Sequence, residues 1–392
     1  MASDLGPVTT HGAQDMTLDS RRLAGLAALT TAALSAHCFG PAFGTASGDG
    51  GSSSEARAHA DAGESPDAHH HVDARADAGS SPDAAVRFAA PVTLVSGQTL
   101  PKGIAVDDTR LFWVNAEDPA GGPGAVMAMP KGGPGTASTF AAKQTAPLDI
   151  AVDSAGVYWS VNTTASAPAA SQCLVMTRDK ISTGGPTCVT SATYETLRMA
   201  LTADRVVVLT QDAQGGPRLG FASKAGSAYT SVQAQGQSAA ITASDSELYL
   251  GNANGPHIDQ FSLPSLVVGP NVCVDACGGG TIVDITLDTN VGSAFWTTSK
   301  GSVVWAPLVA PTATGAPLGT VPGTPQRMAR DAAYLYVTSD SGSVLAVPAT
   351  PGGAVITLST GEQSPFGIAV DANNVYWTCG DGTVRATGVP SP

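Results

Sequence analysis

One unit recurs along most of this chain and limits the available folds more than any other feature. Its clearest copy is Pro365-Phe366-Gly367-Ile368-Ala369-Val370-Asp371, followed by Val375-Tyr376-Trp377-Thr378 and then Gly382-Thr383-Val384. Near copies are Ile104-Ala105-Val106-Asp107 with Leu111-Phe112-Trp113, and Ile150-Ala151-Val152-Asp153 with Val157-Tyr158-Trp159. Ile285-Thr286-Leu287-Asp288 leads to Ala294-Phe295-Trp296, and Met328-Ala329-Arg330-Asp331 leads to Leu335-Tyr336-Val337. Two copies lack both the Asp and the Trp, with Thr202 ahead of Val206-Val207-Val208 and Ser244 ahead of Leu248-Tyr249-Leu250. Positions 107, 153, 202, 244, 288, 331 and 371 therefore mark seven copies, 40–49 residues apart.

Each copy reads as short strands with tight turns. The Ile-Ala-Val run is continuously apolar, as a strand covered on both faces must be. The aromatic and β-branched run after it is a second strand whose Trp fills a wedge between units. Gly301, Gly342 and Gly382 open a third strand. Gly/Pro turns such as Pro130–Pro134 then precede a Thr/Val-rich outer strand. About four strands at a period of 40–45 residues is the requirement of a propeller blade. The expected fold is an all-β, seven-bladed β-propeller over residues 86–392. A six-bladed ring would follow if the degenerate third or fourth copy were an insertion. Val92–Ser96 resembles the outer-strand segment before the last copy and is expected to supply the seventh blade's fourth strand, joining the ends and removing an open edge.

The preceding residues have another character. Arg21-Arg22 and the apolar run Leu23–Leu34 form a signal-peptide pattern within residues 1–44, too short to span a bilayer and with Met16 as the expected start. The Arg pair hints at twin-arginine export. Cys38 stands where bacterial lipoproteins carry their lipidated Cys, so two readings remain, secretion or anchoring at Cys38. Residues 45–85 are mostly Ala, Gly, Ser, Asp and His, with almost no large apolar residue to offset ordering entropy, and read as a flexible linker. His59 and His69-His70-His71 within it could chelate a metal only loosely. Of the net charge of −13, the propeller carries 21 acids against 15 basic residues with no basic patch, which argues against nucleic-acid binding.

Six cysteines suit an oxidising compartment. Local pairing joins Cys173 to Cys188 across a hairpin and Cys273 to Cys277 around a tight loop, leaving Cys379 either buried or reactive. No zinc spacing is present.

The pattern Ile-Ala-Val-Asp, Val-Tyr-Trp-Thr, Gly-Thr-Val resembles the YWTD and NHL-type propeller repeats and their TolB-like relatives. With the leader and tether it is similar to uncharacterised secreted bacterial lipoproteins. The resemblance covers residues 86–392 and implies architecture rather than activity. YWTD propellers usually have six blades and carry Asp directly after Tyr-Trp-Thr, where this chain has Cys379, so their ligand sites do not transfer.

The repeated Asp residues read as turn acceptors of backbone N–H groups rather than a cation ring. His257 is the only His of the propeller and has no nucleophile beside it, so no catalytic constellation, cofactor or metal site is expected. Binding is expected on loops at one rim. Loops entering the inner strands offer Gln98, Gln144, Glu195, Arg198, Gln326, Arg327, Gln363 and Phe366. Loops leaving the second strands offer Asn115, Glu117, Asp118, Asn162, Asp212, Asn252, Lys300, Asp340 and Asp381. The expected function is an exported module binding an extracellular protein or glycan, touching the membrane only through a lipid anchor. The rivals are a metal-dependent propeller enzyme (lactonase, lyase or glycan hydrolase) and a structural envelope protein without a discrete ligand.

Overall fold

A computed structural model describes residues 87–391 except 118–120, 163–172, 193, 213, 235–237, 253–256, 274–276 and 309–314. The leader, Cys38, the tether with its His cluster, and Asp118 lie outside the described residues. Every regular element described is a strand, and the strands form seven antiparallel sheets, one for each copy of the repeat.

Strand β1 (Val92–Val95) precedes blade 1, which is β2 (Pro101–Val106), β3 (Arg110–Glu117), β4 (Pro123–Pro130) and β5 (Ser138–Gln144). Blade 2 is β6 (Ile150–Val152), β7 (Val157–Ser160), β8 (Cys173–Arg178) and β9 (Thr187–Ser191). Blade 3 is β10 (Glu195–Leu201), β11 (Arg205–Gln211), β12 (Pro217–Ser223) and β13 (Thr230–Gln233). Blade 4 has three strands, β14 (Ser238–Ala243), β15 (Glu247–Asn252) and β16 (Ile258–Ser262). Blade 5 is β17 (Ile282–Asp288), β18 (Ser293–Thr298), β19 (Ser302–Pro307) and β20 (Ala316–Thr320). Blade 6 is β21 (Pro325–Arg330), β22 (Tyr334–Ser339), β23 (Ser343–Pro348) and β24 (Ile356–Ser359). Blade 7 is β25 (Pro365–Val370), β26 (Asn374–Cys379) and β27 (Val384–Gly388), and β1 pairs with β27 as its fourth strand.

The ring is thus closed by the N-terminal strand, and seven blades, not six, make it. The degenerate third and fourth copies are full blades. Among the described residues blade 4 has no regular outer strand, and isolated bridges from Ile258 to Cys273 and from Phe261 to Val268 lie along its edge instead. The disulfide Cys273–Cys277 ties that segment down, and Cys173–Cys188 links β8 to β9.

The paired aromatics of the repeat have a geometric cause. Successive side chains on a strand point to opposite faces, and each blade face meets a different neighbour. Trp113, Trp159, Trp296 and Trp377 are fully buried against the preceding blade. The residues before them, Phe112, Tyr158, Phe295 and Tyr376, pack against the following one. The apolar core is accordingly seven inter-blade wedges.

Candidate binding site at the channel mouth

The beginning of each inner strand pairs with the end of its second strand, as in Pro101 with Asn115, Glu195 with Gln211 and Pro325 with Ser339. These segments therefore share one rim, here called upper. The Asp turns occupy the other, and charge there is matched. Asp107, Asp153, Asp288, Asp331 and Asp371 each accept two backbone N–H bonds through Oδ1, from the residues two and three positions on. In the copies without Asp, Thr202 and Ser244 accept from Arg205 and Glu247 with their hydroxyls. The second Asp oxygen reaches a cation on the next blade in four cases: Asp107 to Lys180, Asp153 to Lys224, Asp288 to Arg330 and Asp371 to Lys131. These clasps, which motif reading does not reveal, cross from blade to blade around the lower rim.

The upper rim differs. Where the inner strands begin, six of the seven carry a register shift against the second strand, including Thr196/Arg198, Ser238/Ala240, Ile282/Asp284 and Pro325/Arg327. A bulge leaves a residue outside the ladder and re-aims its side chain. The residue four before the turn Asp or its substitute lies at this point in every blade. From blade 1 to blade 7 these residues are Gly103, Asp149, Arg198, Ala240, Asp284, Arg327 and Gly367, and all but Ala240 line the channel mouth directly. The mouth encloses about 210 Å³ and is bounded by all seven inner strands.

Its acids are engaged. Asp149 Oδ2 accepts from Met199 N at 3.0 Å, and Asp284 Oδ2 accepts from Met328 N at 2.7 Å. Each acid thereby pins the next blade's inner strand. Its cations are not so engaged. Arg198 Nη1 and Arg327 Nη1 donate only to neighbouring carbonyls, those of Leu197 and Gln326, both at 3.2 Å. Arg198 Nε and Arg327 Nη2 are buried without a hydrogen-bond partner among the described residues. Arg327 as a whole is 8% exposed. Its guanidinium lies 4.3 Å from the Phe366 ring centroid, and Lys102 Nζ lies 4.7 Å from the same ring. No ion pair joins Lys102, Arg198 or Arg327 to a carboxylate among the described residues.

The electrostatics follow. Burial lowers Lys102, and the Arg327 charge lowers it further. Burial, then Arg327, brings Arg198 down to about 10 against the pull of Asp284 and Asp149. Burial pushes Asp284 above the usual carboxylate range, although Arg327 and Arg198 oppose the rise.

Of the residues picked from the sequence, Arg198 and Arg327 are brought together here, while Lys102, Asp149 and Asp284 are additions. Gln98 and Gln144 lie on the same rim with their amides occupied. Gln98 Oε1 accepts from Trp113 Nε1 (3.2 Å) and from Asn115 Nδ2 (3.1 Å), and Gln144 Oε1 accepts from Trp159 Nε1 (2.8 Å). An offset of fifteen residues between Gln and Trp in both blades was the available signal. Glu195, Lys300 and Gln363 are exposed on the rim. Glu362, at the equivalent position in blade 7, is instead buried and bound by Arg385 Nη1 at 2.7 and 2.8 Å. Cys379 is buried and donates to Glu362 Oε2 at 3.2 Å. Burial, then that carboxylate, pushes its thiol up to about 12, so it is not a nucleophile at neutral pH. Among the described residues no three of His, Cys, Asp and Glu are gathered as a metal site.

No protein-family model matches this sequence, and no curated protein matches it. Solved structures do resemble it. Virginiamycin B lyase from Staphylococcus aureus is 13% identical, with a TM-score of 0.58 over 76% of this chain and 98% of that one. A catalytically inactive variant of the lyase, solved with quinupristin, is 14% identical with the same TM-score and coverage. The computationally designed Ika8 protein is 12% identical, with a TM-score of 0.56 over 78% of this chain and 100% of that one. At these identities the likeness is one of fold, and the fold is the seven-bladed β-propeller.

Proposed function

We propose that this chain is an exported β-propeller of the YWTD/NHL/TolB-like kind that binds a protein or glycan outside the cell through its upper rim. Residues 1–44 direct export, and residues 45–85 tether the propeller, which is either secreted or anchored by lipid at Cys38. The two disulfides suit an oxidising compartment, since such bonds are rare in reducing ones. One contrast carries the choice of face. The lower rim's turn carboxylates are matched by ion pairs or local hydrogen bonds. Its Arg178, which has a buried Nε and also meets no carboxylate among the described residues, donates to the carbonyls of Phe140 and Ser182. On the upper rim Arg198 and Arg327 donate only to the carbonyl of the residue before each and meet no carboxylate among the described residues. Burying a charged donor unmet is costly, and a ligand arriving at that face would meet it.

The test is site-specific photo-cross-linking on producing cells. Probes replace Lys300 and Gln363, exposed on the upper rim, or Ser154 and Asn290, exposed on the lower. A partner joined only from the upper positions is the expected result. Equal cross-linking from both rims, or none from the upper, would overturn the assignment.

A further inference from the structure

We propose that the channel mouth binds one carboxylate group, the acidic terminus or substituent of the upper-rim ligand, between the guanidinium groups of Arg198 and Arg327. The proposal rests on the upper rim being the binding face and names the chemistry that face selects.

Three observations carry it. The first is the unpartnered Nη2 of Arg327, on a side chain 8% exposed and lining the mouth, together with the unpartnered Nε of Arg198. A guanidinium has five donors in a planar fork that matches a carboxylate edge-on. The stacking of Arg327 on Phe366 holds that fork in place before any ligand arrives. The second is charge. Arg198 and Arg327 line the mouth with Asp149 and Asp284, whose Oδ2 atoms already accept Met199 N and Met328 N, and Lys102 beside Arg327 on the Phe366 ring brings the group to an excess of one positive charge. A monoanion balances this set, whereas a dianion such as sulfate overshoots and is repelled by the two acids. The third is size. About 210 Å³ lies below the roughly 300–1,000 Å³ of sites that enclose a drug-sized ligand. The mouth therefore takes a headgroup, and the rest of the ligand lies over the rim.

The experiment titrates sodium acetate into the full chain by saturation-transfer NMR, with acetamide as the uncharged isostere and sulfate as the dianion at matched ionic strength. Acetate is expected to bind saturably, acetamide not at all, and sulfate more weakly than acetate. Arg327→Gln and Arg198→Gln should each weaken acetate at least tenfold, and Lys102→Met severalfold. Equal acetate and acetamide signals, or tighter sulfate, would overturn the proposal; neither comparison needs a variant to fold. Folded Gln variants that bind acetate like the parent would also overturn it. The cross-linking test reports separately. A partner on the upper rim with no acetate binding overturns the carboxylate and leaves the binding face, while acetate binding without a partner does the reverse.

Discussion

Trp159 and Trp377 hold equivalent places in blades 2 and 7, both fully buried, yet their indole N–H groups fare differently. Trp159 Nε1 donates to Gln144 Oε1 at 2.8 Å, whereas Trp377 Nε1 is buried without a partner among the described residues. Replacing either with Phe removes similar volume, but Trp159→Phe also strands the buried Gln144 oxygen. Trp159→Phe is therefore expected to cost about 1–2 kcal/mol more than Trp377→Phe in urea unfolding. Asp153 poses a second residue-scale question, because its two oxygens do separate work. Asp153→Asn keeps an acceptor for Ala155 N and Gly156 N but loses the ion pair with Lys224. Burial would raise Asp153, and the Lys224 and N–H bonds outweigh it and hold the carboxyl below its usual value. A depressed carboxylate contributes stability that is present above its unfolded pKa of about 3.9 and lost as pH falls through the lower folded value. The variant should thus be less stable by about 1 kcal/mol at pH 7, and the difference should vanish near pH 2. A gap that persists in acid would mean that the turn, not the ion pair, was damaged.

At the scale of the element, the glycine that opens the third strand is the repeat's least replaceable position. Gly301, Gly342 and Gly382 all have φ near +80°, and the carbonyl of each accepts a hydrogen bond from a residue just beyond the outer strand of its blade, Val321, Glu362 and Gln98. At Gly382 that bond comes from Gln98 N at 2.9 Å, and a Cβ there would sit 2.4 Å from Gln98 O. Gly382→Ala should therefore cost about 3 kcal/mol or more, combining a left-handed backbone with a clash against backbone. A midpoint shift within error in urea would sink that reading. The elements were legible because most blades repeat the same solution: an apolar inner strand, an aromatic second strand in most, a turn Asp in five and a positive-φ Gly opening the third strand in blades 5, 6 and 7. What could not be read was whatever differs from blade to blade. Asp149 and Asp284 have no periodic signal, because the position four before the turn residue is Gly, Asp, Arg or Ala by turns, and Lys102 stands one residue before that position in blade 1. Their meeting depends on ring closure, which brings residues far apart in sequence to one axis. The lower clasps were hidden for a related reason: Lys131, Lys180 and Lys224 follow the third strand of their blades and Arg330 ends an inner strand, and each meets a carboxylate at least 42 residues away in sequence.

For the whole molecule, closure decides whether seven wedges act as one core. Each wedge lies between two blades, so an open ring leaves two faces without a partner, as at the ends of a linear repeat array. Strand β1 prevents this by pairing Val92 with Ala386, Thr93 with Arg385 and Val95 with Val384. Leu94, 2% exposed, sits in the wedge between blades 7 and 1 with Trp113, Met129 and Tyr376. A chain beginning at Gly97 would lose about 2 kcal/mol from Leu94 burial alone, and the strand's hydrogen bonds besides. It would also expose β27 as an open edge, a template for pairing with another copy. Size-exclusion chromatography of that truncation should show association, and urea unfolding should be broader and earlier than for the full chain. The channel mouth provides an independent check, because its geometry depends on all seven inner strands being held at one radius. Acetate binding should fall with closure even though none of Lys102, Arg198 and Arg327 is removed. A monomeric truncation with an unchanged midpoint and unchanged acetate binding would show that the wedges hold the ring without its closing strand.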